Sequence, residues 1–345
     1  MPSPSFRVQM SVDPRLRLMH MSFVYAGLFD LAHAGEIALE LRWERTEDFV
    51  VRVEVERVAD GSRRRLCFDI HDRSYVFSDA ALRECDAYFK RSFFAPDVER
   101  LELRGKVRPF GPIFVTRSGH GRARLAAGLG HALKSRGVDA WQAFRDFTDY
   151  LRLPPPSAYE RSATEPAPAR VLFQTRLWTD AEVTGDPPAA EINGERVRLV
   201  RALKSGLGAA FAGGIVPTPL ALEKHPDLVC ARETHRRAYL ATARGCAIGI
   251  YSRGLHDSTA WKLGEYLAAS HAIVASGLRN ALPVPLAPGR DMLAFTTPEE
   301  CVDLCAGLLA APERLAALRE ASHACYRDVA RPTRHVLRCF DAAFA

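Results

Sequence analysis

Between two stretches of ordinary globular sequence runs LPPPSAYERSATEPAPAR, residues 153–170, with five prolines. Proline fixes φ and removes a backbone donor, so neither a helix nor a strand ladder continues through such a run. The segment reads as a linker, placed at 156–169, and it parts the chain into halves of nearly equal length. With 345 residues, each half is long enough to bury a core of its own. The expectation is a first domain over 1–155 and a second that begins at 170.

The second half alternates short apolar runs with helical patterns, as a parallel α/β domain does. ARVLFQTRLW, AAFAGGIV, AIGIYS, HAIVAS and DMLAF are the expected strands, with AAFAGGIV ending in paired glycines. GERVRLVRALKSGLG carries Val197, Leu199, Val200 and Leu203 at helical spacing and stops at glycine. TTPEECVDLCAGLLAAP opens with Thr297 as N-cap, Pro298 at the first position and Glu300 to close a capping box. The first half is less regular. FVYAGLFDLAHAG reads as a helix stopped by Gly35, and VVRVEVERVADGSRRRLCFDI as a hairpin around Asp60-Gly61. SDAALRECDAYFKRSF begins as a capped helix, and GPIFVTRSGHGRARLAAGLGHAL reads as strand, glycine-rich loop and helix. That loop invites a phosphate-loop reading but lacks both GxGxxG and a GK[ST] ending, so the signal is weak. A smaller α/β domain is the expectation here.

Charge and composition narrow the function classes. No run of about 18 uncharged apolar residues exists, so no transmembrane helix is expected. The opening MPSPSFRVQMSVDPRLR has no apolar core before a small-residue cleavage site, so a cytoplasmic protein is expected. The eight cysteines form no CxxC pair and read as reduced, buried thiols; no metal site is expected. The net charge of +6 gathers in Arg63–Arg65, Arg104–Arg108 and Arg117–Arg136. Such a bias suits anionic ligands or peripheral contact with an anionic membrane face, and is too small to argue for nucleic acid.

GLHDSTAWKLGEYLAASHAIVAS, residues 254–276, is the most organised stretch. The strand before it ends in Arg253-Gly254, a loop carries His256, Asp257, Ser258 and Thr259, and a helix follows. In a parallel sheet, this places the helix N-terminus at the carboxyl end of the strands, where ligands bind. Free backbone N–H groups there favour a phosphate, and Lys262 lies a turn inside on the face of Glu265. The alternative is a plain helix start, with Asp257, Ser258 or Thr259 as N-cap and Lys262 and Glu265 as an exposed ion pair. Gly213 and Gly214 likewise either admit a nucleotide to the backbone or make a tight turn.

Residues 170–340 resemble the nucleotide-binding domain of GT-B glycosyltransferases of the bacterial family-1 and family-4 type. The carriers are KLGEYLAASHAIVAS, similar to that group's glutamate-centred helix and following strand, and MLAFTTPEECVDLCAGLLAAPERLAALREAS, similar to its closing strand and helix. The resemblance implies an α/β fold of two Rossmann-like domains facing a cleft: a second domain over 170–331 and a last helix, 332–345, returning toward the first. It implies transfer of a sugar from a nucleotide-diphosphate donor to a glycan or lipid-linked acceptor, in bacterial surface polysaccharide synthesis at the inner membrane face. The donor is then a substrate and no cofactor is required; no metal is implied, because no DxD motif is present. Glu265 corresponds to the glutamate that holds the ribose. Gly254, His256, Ser258, Thr259 and Lys262 fall where the diphosphate and donor sugar are met. Asp257 stands where retaining members carry a second glutamate, and Arg176 represents the basic pair that follows the domain's first strand.

In such enzymes the first domain binds the acceptor. FDIHDRS places Asp69, His71 and Asp72 at a strand end, and CDAYFKRSFF places Lys90 and Arg91 beside aromatics. His71 or Asp72 suits the deprotonation of an acceptor hydroxyl, and Lys90 or Arg91 the neutralisation of a leaving diphosphate. The bland reading is turn-forming aspartates and a solvated basic pair. Two other functions fit the pattern: a sugar-nucleotide epimerase of the same architecture, or a glycan- or nucleotide-binding module without chemistry.

Overall fold

The computed structural model describes residues 4–185 and 187–345. The chain divides into two compact units. One comprises the chain up to Ala158 with Asn280–Pro283 and Asp328–Ala345; the other comprises Tyr159–Arg279 and Val284–Arg327.

The first unit is built on β1 (Phe6–Val12), α1 (Ser22–His33), β2 (Ile37–Trp43), β3 (Val50–Arg57), β4 (Arg63–Asp69), α2 (Asp79–Glu84), β5 (Ala87–Lys90), α3 (Ala95–Val98), β6 (Val107–Pro109), α4 (Arg122–Lys134) and α5 (Ala140–Leu151). Its six strands lie in the order β2-β1-β3-β4-β5-β6. β3 runs antiparallel to both β1 and β4, while the β1–β2, β4–β5 and β5–β6 pairs are parallel. The reversal is the expected hairpin: Gly61 takes φ 69°, and the Asp60 carboxylate accepts from the Ser62 N–H at 3.0 Å. Ser78 caps α2, and Gly35 ends the turn after α1 with φ 76°. Residues 111–115, expected as a strand, are buried but join no ladder. Pro109 and Pro112 have no N–H to offer one.

The second unit contains β7 (Val171–Thr175), α6 (Ala189–Leu207), β8 (Phe211–Ile215), α7 (Pro219–Lys224), α8 (Arg236–Arg244), β9 (Ile248–Tyr251), α9 (Trp261–Ala268), β10 (Ala272–Ser276), β11 (Leu293–Phe295), α10 (Pro298–Ala310) and α11 (Pro312–Cys325). Its five strands are all parallel, in the order β11-β10-β9-β7-β8. Val171, Phe173, Ile248, Ile250, Ala272 and Val274 form the buried centre of the sheet, as continuous apolar strands covered on both faces should. Strand order reverses between β7 and β9, so the carboxyl ends of those two strands flank the crevice where open α/β sheets bind ligands.

Gly213 and Gly214 lie within β8, not after it. A Cβ on Gly213 would stand 2.0 Å from the Phe173 carbonyl oxygen, and one on Gly214 2.7 Å from that of Leu228. These glycines let backbones of the unit itself approach, at φ 142° and 132°. The expected capping of α10 is present with one change. Thr297 accepts from the Glu300 N–H at 3.1 Å, but the Glu300 carboxylate reaches back to Thr296, at 2.7 Å from its N–H.

The proline-rich stretch is tied down over its second half. Arg161 is 3% exposed and donates to the carbonyls of Ala269, Arg244 and Cys246 at 2.8–2.9 Å. Arg319 donates to the Glu165 carbonyl at 2.8 Å and to that of Ser270 at 3.1 Å. Arg161 thus anchors the stretch to three carbonyls of the second unit, and Arg319 satisfies one of the stretch's own, that of Glu165.

The last helix, α12 (Pro332–Phe344), belongs to the first unit and packs along α1. It buries His335, Val336, Cys339 and Phe340. α1 is accordingly buried nearly all round, from Ser22 to Phe29 and again at Leu31. Among the described residues, no helix is long and apolar enough to cross a membrane.

Candidate functional site

In the second unit, α6, α8 and α9 each follow one parallel strand and lead to the next. Their N-termini therefore stand at the carboxyl edge of the sheet. Arg196 of α6 fixes that edge at the strand reversal: it donates to the carbonyl of Arg176 beyond β7 at 2.7 Å and to that of Arg253 beyond β9 at 3.3 Å. Burial lowers its pKa to about 10, so it stays charged at neutral pH. Arg253 is held by three carboxylates, those of Glu191, Glu195 and Asp257. Asp257 also pairs with Arg279 at 2.6 Å. Contact with a donor sugar would therefore compete with two guanidinium groups.

The loop between β9 and α9 is a tight turn rather than a helix cap. His256 and Asp257 both take positive φ, 55° and 57°, a conformation that costs a non-glycine residue roughly 1–3 kcal/mol. The Gly254 N–H donates to the Ser258 carbonyl at 2.9 Å, and a Cβ at Gly254 would meet the Ser258 hydroxyl at 2.5 Å. Ser258 and Thr259 are buried, at 2% and 3% exposure. The N-cap of α9 is Ala260, which makes no side-chain cap bond. None of Asp257, Ser258 and Thr259 is thus the cap, and the two hydroxyl residues are enclosed where a phosphate contact would need them open.

Glu265 and Lys262 are paired, but not as an exposed surface pair. Glu265 is only 4% exposed. Its Oε1 accepts from Arg236 of α8 at 2.7 Å, and its Oε2 lies 3.7 Å from Lys262 Nζ. Lys262 Nζ also stands 3.4 Å from the centroid of the Tyr239 ring, a cation–π contact. Burial alone would raise the pKa of Glu265; the two cations overcome it and hold the carboxyl below its ordinary value. Burial lowers Lys262 to about 8, against the pull of Glu265 and with the push of Arg236.

One buried anion thus serves two cations whose side chains are 31% and 37% exposed. The outward face of the cluster is positive. Oε2 is buried, facing the Lys262 ammonium, and among the described residues no side chain closes a short hydrogen bond on it.

Arg176 is half-exposed, ion-paired with Glu182, and stacked 4.3 Å over the Trp178 ring. Gly213 and Gly214 are spent within the sheet. Arg236 and Tyr239 were not readable as site residues: they sit on a separate helix, and only the packing of α8 against α9 brings them to Glu265.

In the first unit, Lys90 is not available to a diphosphate. It is fully buried, donating to Asp69 Oδ2 at 2.9 Å and to the Val76 carbonyl at 2.6 Å. Asp69 also accepts from the Tyr88 hydroxyl at 2.6 Å and the His71 N–H at 2.9 Å. Arg91, 3% exposed, is ion-paired with Asp72. The solvated basic pair is equally ruled out.

His71 remains partly open, its ring 4.9 Å from that of Phe49. His20, unremarked in the sequence, meets the same Phe49 ring edge-on, with centroids 5.0 Å apart. Burial lowers the pKa of both histidines, His20 in the field of Asp72 and Arg91 and His71 in that of Asp69 and Lys90. Their imidazoles are therefore neutral at pH 7, the form in which one accepts a proton.

No family model matches the chain, and no curated protein does. Solved structures do. A glycosyltransferase from Rickettsia africae is 11% identical with a TM-score of 0.40, over 78% of this chain and 68% of that one. Anabaena HepE in complex with UDP is 10% identical with a TM-score of 0.37, over 96% and 99%. The C-terminal domain of a group 1 glycosyl transferase from Francisella tularensis is 9% identical with a TM-score of 0.36, over 50% and 95%. Identities near a tenth and TM-scores below 0.5 leave the functional reading to the residues themselves.

Proposed function

We propose that the protein is a glycosyltransferase that takes a sugar from a nucleoside diphosphate donor and passes it to a glycan or lipid-linked acceptor. The observation that carries this reading is the cluster of Lys262, Arg236 and Glu265 at the carboxyl edge of a parallel sheet. Two half-open cations on a buried carboxylate match the charge of a diphosphate and resist collapse onto each other. Glu265 orients both cations, and its Oε2 takes a ribose hydroxyl once the side chains over it move.

In the reaction, the bond from the sugar's anomeric carbon to the diphosphate oxygen breaks and a bond to the acceptor oxygen forms. The acceptor's proton goes to a base, and the nucleoside diphosphate leaves with the bonding pair. His71, neutral and partly open, is the better base of the first unit, because Asp72 is engaged by Arg91. Cationic side chains then do at the leaving group what a metal does in other transferases. A setting in surface polysaccharide synthesis at the inner face of a bacterial membrane suits a lipid-linked acceptor.

The test is incubation with a panel of sugar nucleotides and assay for free nucleoside diphosphate. Release of diphosphate, stimulated by an acceptor, is the expected result. Interconversion of the sugar without release would assign an epimerase instead. Binding without turnover would assign a module that lacks chemistry.

A further inference from the structure

The ammonium of Lys262 does not sit where its ion pair alone would put it. A lysine in direct contact with a carboxylate closes a charge-assisted hydrogen bond at about 2.7–2.9 Å. Here Nζ stops 3.7 Å from Glu265 Oε2, although no side chain of the described residues closes a short hydrogen bond on that oxygen. Something else holds the ammonium.

That group is the Tyr239 ring, whose centroid lies 3.4 Å from Nζ. An approach to this distance within the ring plane would collide with the ring's own edge. The cation therefore rests on the π face, where the quadrupole attracts it.

Tyr239 is itself well fixed. It is 3% exposed and follows Arg236 by three residues on α8, which puts both side chains on one helical face. Arg236 donates to Glu265 Oε1 at 2.7 Å, and its guanidinium carbon lies 6.0 Å from the centroid of the same ring. The buried phenolic hydroxyl stands in the field of the Glu265 carboxylate. α8 thus meets one oxygen of Glu265 with a cation and sets an aromatic face, rather than a second cation, beside Lys262.

We infer that Tyr239 is a positioning residue, whose ring holds the Lys262 ammonium off Glu265 and leaves its charge open to a phosphate oxygen. A contact ion pair would neutralise that charge with an anion of the protein's own. The use of the ammonium rests on the proposed diphosphate site, whereas its placement is a property of the free protein.

The first measurement therefore needs no ligand. The chain has six lysines, so 13C-labelled lysine yields few side-chain resonances, and the one lost in Lys262→Arg belongs to Lys262. In the parent it should titrate near pH 8. In Tyr239→Leu the ammonium should close on Glu265, and a nearer carboxylate holds the proton more firmly, so the titration should rise by about one pH unit. Arg236 and Cys230, which also face the ammonium, are unchanged in the variant. Tyr239→Phe keeps the ring and should restore the parent titration. Tyr239→Met, whose flexible side chain fills irregular space, replaces Tyr239→Leu if circular dichroism shows the latter unfolded.

The second measurement is isothermal titration with UDP and with uridine at pH 6.5, where Lys262 is charged in every variant. Tyr239→Leu should bind UDP about tenfold more weakly and uridine as the parent does, with Tyr239→Phe again restoring the parent affinity.

A Lys262 titration that is unmoved or lowered in Tyr239→Leu overturns the proposal, as does parent-like affinity of that variant for UDP. Equal behaviour of Tyr239→Phe and Tyr239→Leu also overturns it, because the effect would then belong to the hydroxyl. If the titration rises as expected but the parent binds no UDP, the placement of the ammonium by Tyr239 stands and the transferase reading falls.

Discussion

Lys262 is the residue whose chemistry most sharply separates a ligand site from a structural ion pair. The groups that face it are Glu265 on its own helix, Arg236 and Tyr239 on α8, and Cys230. With its pKa near 8, the ammonium loses its proton in the range where enzymes are still folded and assayable. An anion bound there would raise that pKa, so proton uptake is linked to binding. Affinity for a nucleoside diphosphate should therefore be level up to about pH 8 and fall above it, by at most about tenfold per unit.

Lys262→Arg should remove the fall, since a guanidinium does not titrate in this range. Lys262→Ala should cost roughly 1.5–3 kcal/mol of diphosphate affinity and far less of nucleoside affinity. Glu265→Gln should weaken both, because it releases Lys262 and Arg236 and removes the ribose acceptor together. Isothermal titration across pH reads all three. A flat pH profile for the parent would leave Lys262 a structural cation. The pairing of Lys262 with Glu265 was legible from their spacing of three. The burial of the pair was not, because Arg236 reaches it from 29 positions away on another helix.

At the scale of elements, periodicity and turn chemistry predicted most of what formed, and the misses have physical causes. Gly35 and Asp60-Gly61 ended and reversed the chain where φ had to be positive. The alternative of a plain helix cap before α9 failed because Asp257 sits in a strained turn and Ala260, with no side-chain cap bond, takes the N-cap position. Asp257 there answers to Arg253 and Arg279 rather than to the helix, and sequence spacing carries no trace of those partners.

Gly27 is a case where the requirement lies entirely in packing. It is in the middle of α1, and a Cβ there would stand 2.6 Å from the Pro332 carbonyl oxygen and 2.7 Å from Val336 Cγ2. Helix propensity favours Ala by about 1 kcal/mol at such a position. The contact with α12 should reverse that sign, since neither backbone nor a packed valine yields cheaply. Gly27→Ala should lose about 1–3 kcal/mol by chemical denaturation. A stabilised variant would show that α12 does not sit closely on α1.

Across the whole molecule, the chain passes from one unit to the other at Ala158–Tyr159, inside the stretch that the prolines mark. Composition marked residues 156–169 as a linker, whereas Arg161 and Arg319 bind the later part of that stretch into the second unit by carbonyl contacts no pattern announces. The return of α12 to the first unit was expected only from family resemblance.

Two cores with separate residues should melt separately, and a calorimetric scan can assign each transition. Phe340 is fully buried in the first unit, its ring 5.4 Å from that of Phe6. Truncating it to alanine should cost about 3–5 kcal/mol, drawn from the first unit's transition alone. A nucleoside diphosphate bound at Lys262 and Arg236 should act on the other. At a hundredfold excess over its Kd it adds about 2.7 kcal/mol to the state that binds it, so the transition insensitive to Phe340→Ala should move upward. If the ligand instead raised the transition that Phe340→Ala lowers, the donor would belong to the first unit, and the assignment of the diphosphate to α8 and α9 would fall.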